Sequence, residues 1–193
     1  MATARYFHVE AANPSDIDAW STPVMVYAGE TFNWSIKQNE ASSVTVSPVS
    51  GGTWPLDYSS YTITPSSPQS ATVDTGVEGT SYDIQCSPAS PNAPQVLLVA
   101  VGVFSPCADI NVQPGQCFAW ENSSDKKIKV QGSGTWPGVH EIDKSGGIVL
   151  VYVPSNQAYG TYDLSVTFKE SGASACAQDN TPVIIVSGPN DPK

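Results

Sequence analysis

Basic residues are scarce in this chain. Lysine and arginine number 8 against 18 acids, a formal charge of −10 over 193 residues. A phosphate backbone calls for clustered cations, so no nucleic-acid partner is expected. An anionic membrane surface is disfavoured for the same reason. Long apolar runs are also missing: the longest, Val96 to Phe104, is the size of a strand, and a span needs about 20 residues. No membrane insertion is expected. Histidine occurs only as His8 and His140 and methionine only as Met1 and Met25, and no Cys-x-x-Cys pair is present, which argues against a zinc knuckle. The opening Met-Ala-Thr-Ala-Arg-Tyr lacks a signal-peptide centre. Either the protein is cytoplasmic or a leader has been removed. The low charged fraction, 13%, beside abundant Ser, Thr, Gly and Pro, tilts the expectation towards an extracellular or cell-surface setting.

What is present is a phrase written twice. Val24-x-Val26-x-x-Gly29-x-x-Phe32-x-Trp34, then Val44-x-Val46, then Gly52-Thr-Trp-Pro55, returns as Ile110-x-Val112-x-x-Gly115-x-x-Phe118-x-Trp120-x-Asn122, then Ile128-x-Val130, then Gly134-Thr-Trp-Pro137. The closing phrases pair as well: Ser81-Tyr-Asp-Ile84 with Thr161-Tyr-Asp-Leu164, and Gln95-Val-Leu-Leu-Val99 with Pro182-Val-Ile-Ile-Val186. Matches that keep their order while the offset drifts slightly are what loop-length change in a duplicated unit produces. Two domains are expected, residues 1–99 and 100–193, each large enough for its own core. The junction has no Gly-Ser linker, so a stiff pair is expected, made by one long strand or by two short abutting ones.

No helical period is sustained. Short alternating runs between Pro, Gly, Asn and Ser clusters predict an all-β chain of antiparallel sandwiches. Candidate strands begin at Tyr6, Val24, Thr31, Val44, Tyr61, Ala71, Ser81 and Val96. Asn13 to Thr22 reads as a loop.

The phrase around Phe118 and Trp120 resembles the first half of a plastocyanin- or azurin-type cupredoxin. Gly79-x-x-Tyr82-x-x-x-Cys86-Ser-Pro, followed by an apolar strand, looks like that family's copper loop. The resemblance implies two consecutive Greek-key cupredoxin-like β-sandwiches. In that family copper sits between two histidines, a cysteine and usually a methionine. By the resemblance, the first histidine falls where Lys126 and Lys127, or Ser42 and Ser43, stand. The cysteine position is Cys86 in one half and Val166 in the other, the second histidine is Ala89, and no methionine follows in that loop. One ligand of four leaves the blue-copper site unmade, so no cofactor is expected.

Other constellations have two readings each. His140 stands near Glu141 and Asp143 as a candidate base or metal site, or as exposed loop. Asp74-Thr-Gly76 matches an aspartic-protease signature but has no second copy, and a turn explains it. Asp16 with Asp18, and Asp179 with Asn180, are calcium candidates with incomplete spacing. Asn33-Trp-Ser and Asn122-Ser-Ser are glycosylation patterns expected by chance. Cys86, Cys107, Cys117 and Cys176 permit two disulfides in three pairings. Trp34 and Trp120 alternate with Phe32 and Phe118 and belong in the core. Trp54 and Trp136 lie at the sandwich ends, where each is either a plug or a platform for a sugar face, with Tyr58, Tyr61 or His140 adding hydrogen bonds.

The function expected is a non-catalytic binding or adhesion module, recognising a glycan or protein surface through its end loops. The first alternative is a structural protein that assembles through sheet edges. The second is a residual metal-binding or redox protein.

Overall fold

The computed structural model describes residues 5–9, 23–36, 43–49, 53–88, 95–134, 136, 138–177 and 180–188. Asp16, Asp18, Ala89 and Asp179 lie outside the described residues, as does the predicted loop before Val24. The chain divides between Val99 and Ala100 into two compact units.

The first unit contains β1 (Tyr6–His8), β2 (Val24–Val26), β3 (Thr31–Ser35), β4 (Val44–Pro48), β5 (Tyr61–Ile63), β6 (Gln69–Thr72), β7 (Ser81–Ser87) and β8 (Val96–Val99). The second contains β9 (Val103–Phe104), β10 (Ile110–Val112), β11 (Cys117–Asn122), β12 (Ile128–Gly132), β13 (Val139–Ile142), β14 (Gly147–Tyr152), β15 (Gly160–Phe168) and β16 (Val183–Val186). Strand order is β1-β3-β6 and β2-β8-β7-β4-β5 in the first unit, and β9-β11-β14 and β10-β16-β15-β12-β13 in the second. Renumbered from one, the two are identical. Even the exceptions repeat: β1 runs parallel to β3 and β2 to β8, as β9 does to β11 and β10 to β16. This is a duplicated Greek-key sandwich of cupredoxin-like order.

The sequence phrase explains the local geometry. Gly29 and Gly115 turn each chain from its second strand into its third with φ of +78° and +86°, a region that costs a side chain but not glycine. Phe32 and Trp34 then enter the core on alternate positions, as period two requires, and Phe118 and Trp120 do the same. Both pairs meet edge to face, with centroids 5.1 Å and 5.0 Å apart and planes at 79° in each. All four rings are fully buried, worth about 1.5–3 kcal/mol each by area. Around them stand Val24, Val46, Ile63, Ile84 and Leu97 in one unit and Ile110, Val130, Ile142, Leu164 and Ile184 in the other. Between the units, β8 and β9 are two short strands interrupted at Ala100–Gly102, not one long strand.

Candidate functional site

Trp54, Asp57 and Tyr58 lie in the connection from β4 to β5, and Tyr61 opens β5. The Trp54 ring is 9% exposed and packs 5.6 Å from Tyr61, so most of a large apolar surface leaves water at the sandwich end. Its indole N–H donates to the Tyr58 carbonyl at 2.7 Å. The Tyr61 hydroxyl donates to Asp57 and accepts from the Tyr58 N–H at 3.3 Å. Asp57 also accepts from the Thr72 N–H at 2.9 Å, which ties the loop to β6. Burial, with the Asp57 carboxylate alongside, pushes the Tyr61 hydroxyl far above its ordinary range, so it stays a donor. The outcome is a fixed loop that presents one aromatic ring: Tyr58 is 62% exposed and stands edge-on to Tyr61 at 5.8 Å.

The second unit has a shorter loop with no counterpart of Asp57 and Tyr58. Trp136 is 5% exposed, lies 5.5 Å from Tyr162, and rests on Gly132, where a Cβ would come within 2.5 Å of the indole. His140 pairs with Val130 as Tyr61 pairs with Val46, so His140 occupies the place of Tyr61. It is half-buried and edge-on to Trp120 at 5.6 Å. Both end tryptophans are therefore largely buried, each within its own unit. The ligand-site candidates fall into two sets, Trp54 with Tyr58 and Trp136 with His140, of which only Tyr58 turns an open ring outward. Asp143 sits 3.0 Å from Lys127 in a network where Glu141 accepts from Lys169 at 2.6 Å. The Asp143 bond raises the Lys127 ammonium's pKa, and Lys169 lowers that of Glu141. Asp74 stands in an exposed turn with Gly76 at φ +82°.

The copper position that the sequence resemblance implies can be tested against these side chains. In the first unit Cys86 lies opposite Val46, and burial pushes its thiol up to about 11. In the second, Val166 and Phe168 stand beside Ile128 and Asn122 around a cavity of about 90 Å³, and the Lys126 ammonium lies 5.2 Å above the Phe168 ring. Among the described residues no three His, Cys, Asp or Glu side chains gather as a metal site. The donors present do not fit a nitrogen–sulfur copper set. Cys107 and Cys176 form a disulfide, whereas Cys86 and Cys117, also named as candidates for a bridge, are buried thiols outside it.

The sequence did not reveal the roles of two residues. Asp57 is the one charged residue between β4 and β5, and that is its signal. Asn122 is 3% exposed and donates to the carbonyls of Lys126 (2.8 Å), Ile142 (3.3 Å) and Asp143 (3.0 Å). Its oxygen accepts from the Ser124 N–H at 3.0 Å and from the Ser124 hydroxyl at 2.7 Å. A side chain so engaged is a scaffold, and the Asn122-Ser-Ser pattern is no glycan acceptor in the fold.

No family model matches the chain, and no curated protein matches it. Among solved structures, the chain is similar to the Bacteroides ovatus mixed-linkage glucan utilization locus protein SGBP-B in complex with a mixed-linkage heptasaccharide. Identity there is 14% and the TM-score 0.29, over 84% of this chain and 42% of that one. The copper nitrite reductase of Nitrosomonas europaea matches at 13% identity and TM-score 0.27, over 87% and 83% of the two chains. The D0-D1 domain of intimin matches at 15% identity and TM-score 0.29, over 83% and 91%.

Proposed function

We propose that this chain is a non-catalytic, copper-free binding module of the cell exterior, recognising a glycan or protein surface at the β4–β5 loop of its first domain. The observation that carries the reading is Tyr58, an open aromatic ring on a loop whose shape is already fixed by Trp54, Asp57 and Tyr61. A ring carried on a loop already held in shape loses less entropy when it stacks on a ligand, which is the advantage of a preorganised contact. The neighbouring Ser59 and Ser60, exposed beside it, supply hydroxyls for a polar rim. Trp54 serves this site by holding the loop, and Trp136 and His140 fill the corresponding end of the second domain. The non-catalytic reading is supported by the engagement of Asp143 with Lys127 and of His140 with Trp120. The exterior setting is supported by the Cys107–Cys176 disulfide, a bond that persists in oxidising compartments.

The test is a binding screen of the full chain against an oligosaccharide array and a panel of immobilised surface proteins. Tyr58→Ala is expected to weaken the interaction found by about tenfold or more while leaving the melting temperature unchanged. Undiminished binding by the variant would remove Tyr58, and with it this reading.

A further inference from the structure

The duplicated domains differ at one strand edge. In the first domain the C-terminal end of β6 is covered on its outer side. Leu56 bridges antiparallel to Val73, Asp57 N–H donates to the Thr72 carbonyl at 3.2 Å, and Asp74 N–H donates to the Pro55 carbonyl at 2.7 Å. In the second domain the corresponding loop is shorter and its acid and leucine are gone. Pro154 follows β14 where Asp74 follows β6, so that N–H is missing as well.

The strand left at this edge is β14. It pairs with β11 alone, through Val153 N–H to Gln116 O at 2.9 Å and onward at every second residue. Val149, Val151 and Val153 face the core. The N–H and C=O groups of Ile148, Leu150 and Tyr152 consequently point away from β11, and among the described residues nothing takes them. Ala119, opposite Leu150, confirms the phase, since its own N–H turns to Gly102 on the other side. β6 reads Gln-Ser-Ala-Thr, whereas β14 reads Gly-Ile-Val-Leu-Val-Tyr without a charge or a proline. An uncharged, β-branched edge of that length invites another strand.

We propose that β14 is the contact strand of a two-fold dimer, pairing antiparallel with β14 of a second copy of this chain. The first domain supplies the precedent at one end of the equivalent edge, where Val73, in the place of Val153, accepts an antiparallel bridge. The sequence supplies the occupant, because β14 is its own complement. A two-fold axis through Leu150 sets Leu150 opposite Leu150 and Ile148 opposite Tyr152, with about six new backbone hydrogen bonds from groups that already face outward. No like charges meet across the axis, although the chain as a whole is strongly acidic. Two three-stranded sheets become one of six strands, by an isologous contact that closes on itself. The edge of the neighbouring sheet behaves differently: β13 carries Glu141, engaged by Lys127 and Lys169, and a charged edge repels such pairing.

Light scattering on the full chain tests this. The wild type is expected to have the mass of two chains. Leu150→Pro is expected to have half that mass with unchanged circular dichroism, because it deletes an N–H that β11 does not use. Should that variant misfold, Leu150→Cys decides. Residues directly opposite in a hydrogen-bonded antiparallel pair lie about 5.5 Å apart at Cα, within reach of a disulfide. Oxidation should then link two Leu150→Cys chains and leave Asn156→Cys chains unlinked. A monomeric wild type at the highest concentration reached, a dimeric Leu150→Pro, or an unlinked Leu150→Cys overturns the proposal.

Discussion

Arg5 holds Glu30 through two hydrogen bonds, Nε to Oε1 at 2.5 Å and a terminal nitrogen to Oε2 at 2.6 Å, and also donates to the Met25 carbonyl at 2.7 Å. Glu30 is 4% exposed, and the pair fastens the lead into β1 onto the β2–β3 turn. The second domain has Gly102 and Gln116 at these places. Gln116 still accepts the backbone bond, from Gln113 N–H at 2.9 Å, that Glu30 accepts from Tyr27 N–H at 3.1 Å. Arg5→Ala should therefore destabilise the first domain by about 2–3 kcal/mol, by leaving a buried carboxylate alone. In a Glu30→Gln background the same change should cost far less. Denaturant melts of the four proteins give the coupling, and equal losses in both backgrounds would show that the pair does not act as a pair.

Trp54 and Trp136 each close a sandwich end. Trp54→Ala and Trp136→Ala should each destabilise the affected domain by about 3–5 kcal/mol, the usual cost of removing a buried indole. Tyr58→Ala, by contrast, should leave melting unchanged. Trp54→Ala should also loosen the Tyr58 loop, since the bond to the Tyr58 carbonyl goes with the indole. If the tryptophan variants melt like wild type, the rings do not seal the domains.

The duplication was fully legible because what it fixes is periodic: a corner glycine, two aromatics two residues apart, and an alternating strand. These act through short-range sterics and burial, and both copies fold to one strand order. The end loops were not legible to the same degree. Whether Trp54 is a plug or a platform depends on Asp57 and Tyr61 turning back on it, and on β6 lying alongside. No window of sequence contains that arrangement. The cysteines show the same limit. Four side chains in an even count permit two bridges, yet Cys86 stands on β7 and Cys117 on β11, in separate domains, and only Cys107 and Cys176 pair. The edge contrast between β6 and β14 was visible in composition, but its meaning came from the hydrogen bonds of Pro55 and Asp57.

Cys86 and Cys117 should stay unmodified by maleimide in the native protein at pH 8 and react once denaturant is added. The Cys86 thiol, raised by burial from 9.0 to about 11, favours the neutral form in the fold. Its contribution to stability is present below pH 9, the unfolded value, and is lost as pH rises towards about 11. A Cys86→Ala variant should accordingly show a flatter fall in stability across that window. Rapid native-state labelling of Cys86 would contradict the burial described.

Reduction of the Cys107–Cys176 bond should lower the stability of the second domain and spare the first. The bridge closes a segment of 69 residues, for which chain entropy gives about 4 kcal/mol. Calorimetry with and without reductant should show one transition shifting and the other unmoved. A shift of both would tie the stability of the two domains together.

Asn122 gives the sharpest chemical test of the second domain. Its amide donates to three carbonyls, one before β12 and two at the end of β13 and the turn after it, so Asn122→Ala strands buried acceptors and should cost about 3 kcal/mol. Asn122→Asp keeps the oxygen that Ser124 needs but turns a carboxylate towards the carbonyls of Lys126, Ile142 and Asp143. Those oxygens repel the charged form, so the folded-state pKa of the new acid should lie above its unfolded value. The proton lets the acid donate again, and stability should be best below the unfolded pKa and lost as pH rises through the folded one. Relative to wild type, the Asp variant should thus be much closer in stability at pH 4 than at pH 7. Melts at the two pH values decide the matter: a deficit that is the same at both would mean that the carbonyls do not sense the charge and that Asn122 acts by shape alone.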